Sequence, residues 1–413
     1  MADLAAIFRK TVEALSPEPL VLAELAHTGA ELMAVPEVLV IALGKAAPAL
    51  ARGVARVLPH ARGLVVAAAE APVPPGFELL VGDHPTPGAR SLAAGKRALE
   101  LASNARPNGG ALFLVSGGAS ALCELPVEPL DLARLAKSID ALMLGGAPVQ
   151  AMNAVRKHLS KLKGGQLAAA CPAAVRHTYV LSDVVGDAVD AVGSGPGAPD
   201  STTFDDALDA FRARDLPVDP AVLEVLGRGL RGELPETPKV GDPRLRGLEV
   251  HLLAGVASLA DRAAQECKRA QLEPVRVPEL QGELSDVAPE LARAARTLKR
   301  GQVLVTAGEV TLRAGGPGEG GRAQHLALTL ARELVGEPVE ILVAGSDGHD
   351  YTTSAAGAIL DGNSWARAIE RGLDPDHRLA TFDSATLCRA LNAQLPAFDS
   401  PTNLTDLVLL AKN

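Results

Sequence analysis

Two cationic side chains stand where chemistry on an anion would need them. Lys45 lies in IALGKAA, after Gly44 at the end of an apolar run and at the expected start of a helix. An ammonium beside the partly positive amino end of a helix makes a local site for phosphate or carboxylate, although a surface lysine at a helix start is also common. Arg322 ends the glycine-rich stretch AGGPGEGGR and opens an apolar-periodic helix, while Glu309 follows the preceding strand in TAGEVTL. A guanidinium leaving a helix N-terminus meets phosphate oxygens in fixed bidentate geometry, and so many glycines before one arginine are an entropically costly way to build an ordinary loop.

The other candidates are small donors and carboxylates. In LVSGGASAL, Ser116 and Ser120 flank Gly117, Gly118 and Ala119 after a wholly apolar strand. Adjacent glycines let backbone amides turn inward as an anion nest, and hydroxyls add donors without bulk. VLSDVVGD puts Asp183 and Asp187 at and beyond a strand end. Asp183 competes as a cap, whereas Asp187 is the better candidate to hold Mg²⁺, orient a hydroxyl nucleophile or accept its proton. ILVAGSDGHD delivers Asp347 and Asp350 after a buried strand, a spacing that suits a divalent cation keeping most of its waters, with His349 as a loop or capping histidine. VGDHPTPG carries Asp83 and His84 on a proline-stiffened loop, either lining a substrate pocket or serving as a rigid connector. The basic stretch MNAVRKHLSKLKGGQLA reads as a solvated helix face whose amino end presents Asn153 and Arg156 to a bound anion.

These residues follow short apolar runs, and in open α/β sheets ligands gather outside the carboxyl ends of the strands. The runs cover residues 38–43, 63–69, 111–115, 178–181, 251–254, 303–306 and 339–344, with the plainest helices at 152–170 and 257–269. The pattern predicts an α/β fold of two three-layer α/β/α domains with largely parallel sheets and an active-site cleft between them. Residues 234–247, with three prolines, interrupt the rhythm and form the candidate linker. A Rossmann-like N-terminal domain then spans 1–236 and a second α/β domain 237–413, with the N-terminal helix able to pack on either.

Composition removes several function classes. A chain of 413 residues that is 47% hydrophobic can fill two cores, but aromatics at 2% leave few rings on which bases could stack, so nucleic acid is not an expected partner. The net charge of -9 is spread without a basic block, which disfavours phosphate backbones and anionic lipid. Cys123, Cys171, Cys267 and Cys388 lie too far apart for a zinc knuckle and read as buried thiols. Charges at Asp3, Arg9, Lys10 and Glu13 interrupt any signal-peptide core, and no later run reaches membrane-spanning length, so a cytoplasmic protein without a membrane partner is expected. No G-x-x-x-x-G-K-[ST] occurs, which excludes a P-loop, and no G-x-S-x-G elbow is present. Gly316, Gly318 and Gly321 do spell G-x-G-x-x-G, but Pro317 in the turn and the lack of an acid at the required spacing make it a coincidental match.

Taken in order, GKAA, DHP, SGGASAL, NAVRKHLSKLKGG, SDVVGD, SGP, GEVTL, GGRAQ, AGSDGHD and AAGAILDG resemble the class II glycerate kinases, the MOFRL family, long described as hydroxypyruvate reductases. The resemblance covers nearly the whole chain. It implies ATP-dependent phosphorylation of the 2-hydroxyl of D-glycerate, with Mg²⁺ or another divalent cation, ATP and D-glycerate as the small molecules bound, and a MOFRL-type C-terminal domain. It carries catalytic roles onto Lys45, Arg322 and Asp187. In that scheme Lys45 and Arg322 face one another across a gap wide enough for a triphosphate, Asp347 or Asp350 holds the metal, and Asp187 orients or deprotonates the hydroxyl. Residues 116–120 bind an anionic group, either the glycerate carboxylate or a nucleotide phosphate, and His84, Asn153, Arg156 and Glu309 join in binding. A homodimer is compatible with this scheme. The chain departs from the family at Ala323 and His325, where GGRNxE is usual, and at Tyr351 to Ser354, where GPTD is usual. Two rivals remain: an NAD(P)H-dependent hydroxypyruvate reductase, which requires the G-x-G-x-x-G to be real, and a sugar-acid or nucleotide-binding module without turnover.

Overall fold

The apolar runs become strands of two sheets in the computed structural model, which describes residues 3–313, 315–351 and 353–413. The first sheet contains β1 (Val38–Leu43), β2 (Ala61–Ala67), β3 (Phe77–Val81), β4 (Gly110–Ser116), β5 (Val175–Leu181) and β6 (Leu248–Ala254), in the order β3-β2-β1-β4-β5-β6. The pairs β1–β2, β1–β4, β2–β3 and β4–β5 are parallel. Helical crossovers cover both faces of such a sheet, so β4 is apolar almost throughout and buried at every residue. The winding direction reverses between β1 and β4, and their carboxyl ends frame the crevice in which ligands of doubly wound sheets bind.

The second sheet contains β7 (Glu273–Arg276), β8 (Leu280–Glu283), β9 (Gln302–Thr311), β10 (Val339–Gly345), β11 (Ala355–Asp361), β12 (Gln394–Pro396) and β13 (Asp406–Lys412), in the order β12-β11-β10-β13-β9-β7, with β8 also on β9. Here the expectation of a largely parallel sheet fails. Only β7 and β8 pair parallel with β9, whereas β9–β13, β13–β10, β10–β11 and β11–β12 are antiparallel. The loop 346–354 between β10 and β11 is shorter than the dozen or so residues a parallel crossover takes, so the chain can only turn back. Antiparallel β13 brings its first residue, Asp406, level with Gly308 of β9 and Gly345 of β10.

The chain divides into two compact units, residues 17–182 with 188–253, and residues 1–16 with 183–187 and 254–413. The core of the C-terminal unit gathers Leu291, Leu326 and Leu330 from helices against Val343 and Leu410 of the sheet. Helix Leu4–Ala14 belongs to this unit: Phe8 meets Phe398 edge-on at 6.0 Å, and the Thr402 hydroxyl donates to the carbonyls of Val12 and Leu15. Residues 234–247 are not a free tether. Glu236 pairs with His158 at 2.7 Å, buried Thr237 donates to Asp200 at 2.8 Å, and the boundary between units falls after Leu253.

The helix expected over 152–170 is two helices, Val149–His158 and Gln166–Ala169. Between them Ser160 bridges to Pro126 and its hydroxyl donates to Glu124 at 2.6 Å, after which Gly164 and Gly165 turn the chain at φ +57° and +80°. Its basic residues are not all on a solvated face. Lys157 is buried between Asp190 (2.7 Å) and Asp200 (2.9 Å), and Lys163 is buried against Glu124. The helix expected at 257–269 is present as Val256–Arg269. Among the described residues no helix is long and apolar enough to cross a membrane, and the four cysteines are buried and free.

Candidate active site

At the switch point of the first sheet, the turn after β1 is fastened to the turn after β4. A Cβ on Gly44, at φ +117°, would lie 2.3 Å from Ser116 Oγ and 2.5 Å from its carbonyl oxygen, so glycine alone lets the two strand ends touch. The Lys45 amide donates to Gly117 O at 2.9 Å, and the Ala46 amide to Ser116 Oγ at 3.1 Å. Ser116 in turn donates to Leu43 O at 3.3 Å, so this buried hydroxyl joins the two turns and is not offered to a ligand. The Lys45 side chain is exposed just before helix Ala47–Val57. A Cβ on Gly118, at φ +82°, would lie 3.4 Å from both the His84 ring and Lys45 Cγ, which places ammonium and imidazole together over the glycine turn. Desolvation on this turn, and the Lys45 charge, hold His84 below its ordinary pKa and favour the neutral ring.

A polar chain runs on from the same turn. Ser120 Oγ lies 3.1 Å from Ser194 Oγ, the Ser194 hydroxyl donates to Asn153 Oδ1 at 3.1 Å, and Arg156 Nη1 donates to the same oxygen at 3.3 Å. Ser120, Asn153 and Arg156 are thereby brought together. Ser194 is absent from the sequence candidates; its signal is a serine between two glycines, held at φ +60°. Desolvation lowers the pKa of Arg156 against the opposing pull of Glu124.

In the C-terminal unit, Arg322 is the first residue of helix Arg322–Glu333. Its Nε donates to Asp406 Oδ2 at 2.7 Å and its Nη1 pairs with Glu309. Burial opposes the charge, but Asp406 and Glu309 outweigh it and hold the guanidinium above its ordinary pKa. Asp406 is the other residue missing from the sequence candidates. An acid directly before the apolar run LVLLAK is the only trace it leaves, and its position emerges once β13 runs antiparallel to its neighbours.

Three expected carboxylates share one structural task. Helices Ala89–Ser103, Val256–Arg269 and Arg322–Glu333 each have a glycine N-cap with no side-chain cap, Gly88, Gly255 and Gly321. An aspartate other than the N-cap residue supplies it in each case. Asp83 accepts from the amides of Arg90 (2.9 Å) and Ser91 (3.4 Å), and Asp187 from those of Val256 (2.9 Å) and Ala257 (3.2 Å). Asp350 accepts from the amides of Ala323 (3.0 Å) and Gln324 (2.9 Å) and from the Gln324 side chain (3.0 Å). A Cβ would fall 2.5, 2.0 and 2.1 Å from the respective carboxylate oxygens, so glycine admits the cap. Desolvation raises the Asp350 pKa despite the bonds from Gln324 and Ala323.

Asp350 is therefore tied to a helix end, while Asp347 of the expected metal pair is held within its own loop. Asp347 Oδ1 accepts from the His349 amide at 3.0 Å. A Cβ on Gly345 would lie 3.0 Å from that oxygen and 3.5 Å from Asp406 Oδ1, so both carboxylates stand beside this glycine. Of the departures from the family, Ala323 is buried, and buried His325 stacks on Phe382 at 5.4 Å with Nδ1 unpartnered among the described residues. Thr352 lies outside the described residues. The glycines of the G-x-G-x-x-G are required by the chain's own packing: Cβ atoms on Gly316 and Gly318 would fall 2.5 Å from Thr381 O, and one on Gly321 would meet Asp350.

A domain of unknown function, DUF4147, matches residues 3–227, and the MOFRL family matches residues 302–406. The D-glycerate 2-kinase of Thermotoga maritima is 34% identical over 98% of this chain and 96% of its own length. The glycerate 2-kinase of Pyrococcus horikoshii is 33% identical over 90% of this chain and 87% of its own. The crystal structure of glycerate kinase from Thermotoga maritima matches with a TM-score of 0.86 at 33% identity, covering 99% of this chain and 98% of that one.

Proposed function

We propose, since this chain belongs to the DUF4147/MOFRL family shared by the glycerate 2-kinases, that it transfers the terminal phosphoryl group of ATP to the 2-hydroxyl of D-glycerate, giving 2-phosphoglycerate and ADP. The observation that carries the reading is the gathering of Lys45 and His84 over the glycine turn at the switch point of the parallel sheet. Phosphoryl transfer asks a protein mainly for positioning and neutralisation of charge. Lys45 forms no ion pair among the described residues, and its exposed ammonium is available to phosphate oxygens. Arg322, aimed by Asp406 and Glu309, supplies a second cation able to stabilise charge on phosphate oxygens. The turn 117–120 and the chain through Ser194 to Asn153 and Arg156 bind the second anionic group.

Asp187 keeps one further lone pair on each capping oxygen, and its role is to orient the attacking hydroxyl. For a divalent cation the candidate donors are Asp347 and Asp406, whose carboxylates both stand beside Gly345, because a hard cation takes oxygen ligands and shares them with phosphate. Bound there, it would neutralise phosphate charge. Asp350 keeps the helix end in place.

The test is ADP release with Mg²⁺-ATP and D-glycerate, followed by identification of the product isomer. Lys45→Ala and Arg322→Ala are each expected to lose more than about 100-fold in kcat/KM, a loss of about 2.7 kcal/mol of transition-state stabilisation. Near-normal turnover in both variants, or oxidation of NADH by hydroxypyruvate, refutes the assignment.

A further inference from the structure

A second group of ligating side chains lies in the first unit, apart from the turns after β1 and β4. His177 on β5 is level with Leu112 of β4, four residues before Ser116, which places it roughly 13 Å along the strand from that end of the sheet. Glu249 and His251 stand two residues apart on neighbouring β6, and so share a face. One ligand atom from each of His177, Glu249 and His251 lies within 4.8 Å of the other two.

Two ring nitrogens of this cluster lack hydrogen-bond partners among the described residues. His177 is 2% exposed, and its Nδ1 is buried without a hydrogen-bond partner, as is His251 Nε2. Both nitrogens nevertheless stand close to Glu249 Oε2, at 3.6 and 3.3 Å. On the far side of the His251 ring, Glu24 Oε1 lies 3.0 Å from Nδ1. A carboxylate there draws the ring proton to Nδ1 and leaves Nε2 as a bare lone pair aimed at Glu249, the arrangement by which an outer carboxylate prepares a histidine for a metal. The bare His251 nitrogen, the buried and unpartnered His177 Nδ1 and a carboxylate then face one another, an arrangement that a positive ion between them would satisfy.

We propose that His177, Glu249 and His251 bind a zinc-class divalent cation, oriented by Glu24 and separate from the phosphoryl-transfer site. Tetrahedral ligation with bonds of about 2.0–2.1 Å puts ligand atoms roughly 3.4 Å apart, close to the two spacings from Glu249. Two imidazoles select against Mg²⁺ and Ca²⁺, which prefer oxygen cages. The Glu249 side chain, 58% exposed, opens the fourth position to water.

The experiment is calorimetric titration of the chelator-stripped full-length protein with Zn²⁺, and with Co²⁺ read by its visible absorption. One equivalent of Zn²⁺, undisturbed by excess Mg²⁺, and the intense visible bands of four-coordinate Co²⁺ are expected. The His177→Gln/His251→Gln double variant should bind at least about 100-fold more weakly, and Glu24→Gln, which keeps every ligand, about 10–100-fold more weakly. Should the double variant fail to fold, Glu249→Gln at its exposed position carries the same expectation. Absence of Zn²⁺ binding, or binding equal in all variants, overturns the proposal and leaves the cluster as a structural histidine–glutamate contact.

Discussion

Asp350 decides whether the loop after β10 acts as a helix end or as a metal ligand, and Asp350→Ala separates the two. The residue is 4% exposed and accepts three hydrogen bonds, two from the first amides of helix Arg322–Glu333 and one from the Gln324 side chain. Removing a cap of this kind costs about 0.5–2 kcal/mol. The Gln324 side-chain amide keeps a bond to Thr353 at 3.1 Å but loses its carboxylate partner in a buried setting, which adds about 1–3 kcal/mol. The sum is about 3 kcal/mol, and at roughly 2–4 °C per kcal/mol for a unit of this size the melting midpoint should fall by about 6–12 °C. That fall should be the same with and without Mg²⁺. Turnover should drop as well, because Arg322 is the first residue of the loosened helix. Asp347→Ala is the matched control: its carboxylate accepts one loop amide, so the midpoint should stay within about 2 °C while the Mg²⁺ concentration for half-maximal activity rises at least about tenfold. If Asp350→Ala melts like the unaltered protein and instead shifts the Mg²⁺ requirement, the capping argument is wrong and the carboxylate belongs to the metal.

Two further outcomes follow from the same helix. His325 is buried beside Arg332, and both hold its pKa down from 6.5 to about 4, so between those values the folded chain binds fewer protons than the unfolded one. Its contribution is complete above pH 6.5 and is lost as pH falls through 4; a gap of about 2.5 pH units at 1.36 kcal/mol each gives about 3 kcal/mol, and His325→Leu should flatten that part of the melting-versus-pH curve. Parallel curves for the two proteins would sink the argument. Asp406→Asn removes the charge opposite Arg322 Nε but leaves Glu309, so stability should fall by about 1–2 kcal/mol, less than the usual cost of breaking a buried pair. Because Asp406 aims the guanidinium, kcat should fall at least about tenfold; lower stability with unchanged kcat would make the pair merely structural.

What could be read from the sequence was what local chemistry determines. Gly44, Lys45 and the Ser116–Ser120 turn follow strands of a parallel sheet, and in such a sheet each strand's end and the next helix's start are neighbours in sequence, so each motif lies at the switch-point end of its strand. The roles of Asp187 and Asp350 could not be read that way, because their partners lie 69 and 27 residues off. Asp406 was hidden for a related reason: in an antiparallel sheet half the residues at a functional edge come from strand beginnings, where the search for acids after apolar runs does not look. The His177–Glu249–His251 cluster joins strands more than 60 residues apart, and the edge-strand residues responsible looked like ordinary alternation.

One of these failures need not recur. A helix that opens on glycine has no cap of its own, and its first amides still require an acceptor. When an apolar-periodic helix follows directly on glycine, as after Gly88, Gly255 and Gly321, an aspartate from elsewhere in the same loop or from a remote one supplies that acceptor, and the absent Cβ is what lets it approach. Under that rule Asp83, Asp187 and Asp350 are first to be tested as caps. The cations with no such task then stand as the stronger candidates for chemistry: Lys45 with no ionic partner among the described residues, and Arg322 held at the end of one of these helices.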